Sequence, residues 1–232
     1  MTIWQLLRLH YVYLFSKKNI IAILICIVIA VGINLYSWLD NASLALPSEQ
    51  IIEFSWQSIF TFDKMIMHIV TIFIMGNFCL PENDQYYCLF IFKKISRNKF
   101  FIMKMVVLMV IIVFLTIILF GAFIISGYTL NHYFVMNISY FKAYLYCLIA
   151  SLSYGFFTII LVKLFPTVMS IIIAIIIFLA SDLFDGNGTA ISLFPVITID
   201  FLQKSSLISL VLMIIMMVFY FFIAIIANYA KK

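Results

Sequence analysis

Pro81-Glu82-Asn83-Asp84-Gln85-Tyr86-Tyr87-Cys88-Leu89-Phe90-Ile91-Phe92-Lys93-Lys94-Ile95-Ser96-Arg97-Asn98-Lys99-Phe100-Phe101-Ile102-Met103-Lys104 is a charged island in an apolar chain. It holds five of the fourteen Lys and Arg residues and opens with two acids. It is too charged to cross a bilayer and too apolar to be a solvated linker. Nearly everything on either side of it reads as lipid-facing helix.

The totals explain that contrast. Of 232 residues, 66% are hydrophobic, 18% aromatic and only 10% charged. A soluble domain is about half apolar and about a quarter charged. A water-soluble globule of this length cannot hide so much apolar surface, so the solvent must be lipid. A hydrocarbon core about 30 Å thick takes roughly 20 residues per helical span, which leaves room for about six spans and no sizeable domain outside them. The expected fold is therefore all-α and polytopic.

Outward from the basic stretch, the chain divides by its prolines. Pro47, Pro81, Pro166 and Pro195 all fall between apolar runs, where proline punctuates helices. The expected spans are about 19–37, 58–80, 103–126, 140–164, 167–183 and 205–228, with a coupling segment at 81–102. Residues 38–56 read as a loop, with a short surface helix at 49–57 as an option. Before the first span, Trp4, Leu7, Tyr11 and Leu14 recur at helical spacing in residues 1–18, with Arg8 and Lys17 able to reach headgroups. That pattern fits an interfacial elbow helix, or a simple extension of span one. No small-residue cleavage site follows the first apolar run.

Basic residues set orientation. With the N-terminus inside, Arg8, Lys17, Lys18, Lys93, Lys94, Arg97, Lys99, Lys104, Lys163, Lys231 and Lys232 fall on the inner side, and Lys64, Lys142 and Lys204 on the outer. Eleven against three predicts six spans with both termini in the cytoplasm. The net charge of +5 follows from this bias and is no nucleic-acid footprint.

Catalytic and metal chemistry is sparse. None of the seven glycines precedes a lysine, so the phosphate loop GxxxxGK[ST] is absent and this chain cannot hydrolyse ATP by that route. His10, His68 and His132 are scattered, no HExxH occurs, and no metal site is expected. Cys26, Cys79, Cys88 and Cys147 show neither zinc spacing nor a disulfide framework and read as small apolar fillers. Asp63, Lys64 and His68 stand out inside apolar sequence. A charge at a span centre costs about 2.5–3.5 kcal/mol on insertion scales. Either the three line the outward end of a translocation path, or span two starts later, near Met65, and they sit at the headgroups. Ser151 and Gly155 form a small-xxx-small pair suited to close helix packing.

The run Lys94-Ile95-Ser96-Arg97-Asn98-Lys99-Phe100-Phe101-Ile102-Met103-Lys104 resembles the loop after the second helix of ABC-2 type transporter permeases. Ser96, Arg97 and Lys104 stand where that family has Ser, Arg and the Lys that opens the third helix. Glu82 and Asp84 supply its upstream acids, whereas Gln85-Tyr86 replaces its Gly-Thr and Lys94 its proline. The resemblance implies the transmembrane permease subunit of a bacterial exporter, with a cytoplasmic coupling helix between spans two and three. This helix would dock on a separate ATPase subunit, present in two copies and binding ATP and Mg, with a second permease copy or a similar permease completing the complex. The ATPase-coupling residues would be Glu82, Asp84, Tyr86, Tyr87, Phe90, Lys93, Lys94 and Arg97. The residues agree: Tyr86, Tyr87 and Phe90 suit an interface anchor, and the lysines suit an anionic leaflet. No catalytic residue and no cofactor are expected in the chain itself. The alternative is a membrane-embedded enzyme or ion-coupled carrier using Asp63, Lys64 and His68.

Overall fold

The computed structural model describes residues 17–42, 47–78, 97–131, 133–184 and 207–230. Six helices account for nearly all of them: α1 (Lys17–Ala42), α2 (Ser48–Phe78), α3 (Arg97–Leu130), α4 (Ile138–Leu164), α5 (Thr167–Phe184) and α6 (Leu207–Ala230). There is no strand among the described residues. Five of the helices are long and apolar enough to cross a membrane, and α5 adds a shorter apolar helix over Thr167–Ser181. The protein is an all-α, multi-pass membrane protein.

The helices are longer than the bilayer requires, and this corrects three expected boundaries. Residues 38–56 are largely helical: α1 continues to Ala42 and α2 starts at Ser48, ten residues before the expected span. No proline lies between Ser48 and Phe78, and the one glycine, Gly76, comes only in the last turn. The Pro47 carbonyl opens α2 by accepting the N–H groups of Gln50 at 3.0 Å and Ile51 at 3.1 Å. Glu49 in the first turn suits the positive end of the helix dipole. Glu49 and Glu53 are exposed, so they extend the helix beyond the apolar layer without ending it. For the same reason α3 begins at Arg97, and residues 97–102 belong to it and not to the preceding coupling segment. The proposed elbow helix and most of the coupling segment lie outside the described residues.

Local chemistry fixes the joints. Asn137 caps α4, its side-chain oxygen accepting the Ser139 N–H at 3.0 Å. Phe165 ends α4 in extended geometry, φ −125° and ψ 165°, which is where a residue before proline is driven. Pro166 then opens α5, its carbonyl accepting the Ser170 N–H at 2.9 Å. In the α3–α4 loop, Phe134 folds back onto Gly127, where a Cβ would lie 2.9 Å from its ring.

The centre of the bundle is α4, which packs on α2, α3, α5 and α6. Trp56 meets Tyr140 at 4.6 Å near the start of both α2 and α4, and Gly155 meets Met75 further along both, so the two helices run parallel. Phe123 meets Tyr140 at 5.2 Å, while the Lys163 ammonium lies 5.8 Å from the Phe101 ring, so α3 runs antiparallel to α4. These directions sort charge. Lys17 and Lys18 start α1, Arg97, Lys99 and Lys104 start α3, and Lys163 ends α4, all at one end. Asp40, Glu49, Glu53 and Lys142 lie towards the other, where Trp38, Trp56, Phe123, Phe134 and Tyr140 make a continuous aromatic cluster.

Candidate functional site

Two glycines let the helices approach closely enough to shut lipid out. A Cβ on Gly155 of α4 would lie 2.5 Å from Met75 Sδ and 2.9 Å from Thr71 Cγ2 of α2. A Cβ on Gly76 of α2 would lie 2.6 Å from Ile171 Cγ1 of α5. Small residues at such crossings are how membrane helices gain van der Waals contact without a hydrophobic driving force. Ser151 and Gly155 therefore do pack against a neighbouring helix, and Ser151 also contacts His68.

The faces so joined are polar. Asp63, Lys64, His68 and Thr71 of α2 are all buried, as are Tyr144, Cys147, Ser151 and Thr158 of α4. Asp63 is the sixteenth residue of the 31-residue α2, and it is completely buried. Its side chain faces protein and not lipid.

The three residues singled out in the sequence go to different neighbours. Asp63 turns to α4 and α1: the Tyr144 hydroxyl donates to its Oδ2, and Asn34 faces the same carboxyl. Asp63 Oδ1 and both amide atoms of Asn34 are buried without a hydrogen-bond partner. Lys64 is buried beside Asp63 in the chain, and the Cys147 thiol of α4 points at Met67 Sδ of α2, 3.7 Å away. His68 turns to α4 and α5. Its Nδ1 lies 2.7 Å from the Lys64 carbonyl oxygen, and because a carbonyl only accepts, Nδ1 carries the proton. Ser151 Oγ lies 3.4 Å from the same nitrogen. The ring stacks on Phe178 at 4.7 Å and takes the edge of Tyr154 at 5.2 Å.

Chemically this is a carboxyl group with one open oxygen, and an imidazole held by a helix carbonyl and two aromatic rings. Such groups hold and release protons. Among the described residues no group of three or more His, Cys, Asp or Glu could hold a metal ion. Of the coupling residues, Glu82, Asp84, Tyr86, Tyr87, Phe90, Lys93 and Lys94 lie outside the described residues, and Arg97 is the first residue of α3.

Sequence reasoning missed Asn34, Tyr144, Tyr154 and Phe178. The signal for two of them was present: Asn34 is an amide inside an apolar run, and Tyr140, Tyr144, Cys147, Ser151 and Gly155 recur at three- and four-residue spacing along one face. Tyr154 and Phe178 look like ordinary lipid-facing aromatics until α5 is set beside α2. No protein-family model matches the chain, and no curated protein matches it.

Proposed function

We propose that this chain is the transmembrane permease subunit of a bacterial ATP-binding-cassette exporter. It works as a homodimer or with a second permease, and two copies of a separate ATPase subunit bind ATP and Mg. All six helices cross the cell membrane in this reading, with an N-terminal elbow helix and both termini in the cytoplasm. The observation that carries it is the junction of α2 and α3. Arg97, Lys99 and Lys104 open α3 at the end of the bundle where Lys17 and Lys18 start α1 and Lys163 ends α4, and Ser96 directly precedes them in the sequence. Lys and Arg mark the cytoplasmic side, which is the side an ATPase occupies. Tyr86, Tyr87 and Phe90 then anchor the ATPase, and its closure pushes on the ends of α2 and α3.

The cargo is a small amphipathic or hydrophobic molecule, such as a peptide or bacteriocin, an antibiotic or a lipid, taken partly from the bilayer. Self-immunity or antibiotic resistance is the corresponding role. The test is whether a neighbouring gene encodes a Walker-motif ATPase and whether the chain co-purifies with that ATPase. The wild type is expected to retain that ATPase and to stimulate its ATP turnover, and Tyr86→Ala/Tyr87→Ala/Phe90→Ala to lose both. Wild-type protein that retains no ATPase overturns the reading.

The burial of Asp63, Lys64 and His68 between helices favours a second reading, an ion-coupled carrier or membrane-embedded enzyme acting alone. Intramembrane ionisable groups mark ion and proton pathways. This reading requires transport or turnover by the purified chain without any ATPase, abolished by Asp63→Asn.

A further inference from the structure

Four acidic side chains are described, and three of them, Asp40, Glu49 and Glu53, are exposed. Asp63 alone is sealed inside the bundle, and its direct neighbours are a phenol and a carboxamide. Three polar atoms of this pair, Asp63 Oδ1, Asn34 Oδ1 and Asn34 Nδ2, are buried without a hydrogen bond of good geometry, as are Trp38 Nε1, Ser55 Oγ and Thr71 Oγ1 elsewhere on the same two helices. Buried polar groups are seldom left so, and each such group calls for an explanation.

We infer that Asp63 and Asn34 form a proton-binding site inside the membrane, the proton resting on Asp63 Oδ1 and shared with the side-chain carbonyl of Asn34. The valences decide it. A carboxylate only accepts hydrogen bonds, whereas an amide has one donor group and one acceptor. With Asp63 ionised, Asn34 Oδ1 finds no donor in this pair. One added proton turns Asp63 Oδ1 into a donor, and acid and amide become reciprocal. The Asp63 hydroxyl donates to Asn34 Oδ1, and the Asn34 amino group donates to Asp63 Oδ2. That oxygen has two lone pairs, and the Tyr144 hydroxyl occupies the other. The three atoms of this pair are then satisfied, and the pair requires no other ligand. The proton comes from solvent and returns to it, so no covalent step is involved.

A metal cation fits less well. One carboxyl oxygen and one amide oxygen fall short of the six or more oxygens that hard cations collect. The other ionisable groups around the pair are Lys64 and His68 on α2 and Tyr144 and Cys147 on α4. Asn34 is what α1 contributes, and α3 meets Tyr144 through Phe120, which does not titrate. The proton also links α1 to α2. Once it leaves, Asn34 must turn its amide or part from Asp63, so the packing of α1 reports the protonation state.

The site stands whether or not an ATPase drives transport, and its test needs no transport. Full-length protein in lipid nanodiscs is examined by infrared difference spectroscopy from acid to alkaline pH. A carboxylic-acid carbonyl band is expected at neutral pH. It should shift on labelling with isotopic aspartate, vanish in Asp63→Asn, and move to higher wavenumber in Asn34→Leu, where the hydroxyl loses its acceptor. The inference is overturned if no such band exists at neutral pH, if it persists in Asp63→Asn, if Asn34→Leu leaves it unmoved, or if sodium or potassium ions remove it at constant pH. Should Asp63→Asn fail to fold, the aspartate label and Asn34→Leu decide alone.

Discussion

The helices α4 and α6 lie side by side and differ in what they hide. An apolar 18-residue window of α4 is 78% buried, against 17% for the corresponding window of α6. Yet α6 is the more apolar of the two, an almost unbroken run of Leu, Ile, Met, Val and Phe, while α4 carries four tyrosines, four serines or threonines and Lys163. In water the ranking would be reversed. In a bilayer the apolar side chain is already in its preferred solvent, and the polar one must find protein. Polarity here marks the inside of the molecule.

That contrast can be broken by substitution, with unfolding in lipid or detergent as the measurement. The largest loss is expected at the aromatic end. Phe123 contacts Trp38, Trp56, Phe134, Tyr140 and Tyr144, and Phe123→Ala should cost about 3–5 kcal/mol. Next comes Gly155→Leu, which drives a side chain into Met75 and Thr71 and should cost about 3 kcal/mol or abolish packing of α2 on α4. Tyr144→Phe removes the donor to Asp63 Oδ2 and should cost about 1–2 kcal/mol. The smallest effect belongs to Gly32→Leu on α1. Among the described residues nothing lies within 4 Å of its added Cβ, so stability should stay within about 1 kcal/mol of the wild type. A Gly32 variant as damaging as the Gly155 one would show that this face of α1 is covered by something other than the described residues.

The same contrast explains what could be read in advance. Composition and the four prolines were enough for an all-helical membrane protein, because both follow from the thickness of a bilayer and from proline geometry. Helix ends were less legible. Glu49 and Glu53 looked like loop residues, but a helix stops where its hydrogen bonding is interrupted and not where the lipid ends. Asp63, Lys64 and His68 were visible as oddities on one helix. Their separation into an Asn34–Asp63–Tyr144 group and a His68–Ser151–Phe178 group was not, because it depends on which neighbours α2 meets. Those neighbours are chosen by Gly76 and Gly155, whose meaning lies in the helix opposite.

The lengths of α2 and α3 have a consequence for the membrane itself. With 31 and 34 residues, and about 1.5 Å of rise for each, they measure about 46 and 51 Å, while the hydrocarbon layer is about 30 Å thick. A helix that outruns its bilayer must tilt, thicken the lipid or stand proud of it. Exposed charges lie at these ends: Lys99 at the start of α3, and Glu49 and Glu53 at the start of α2. Bilayer thickness therefore acts on this protein as a mechanical load, applied through its two longest helices and resisted where α2 is pinned to α4.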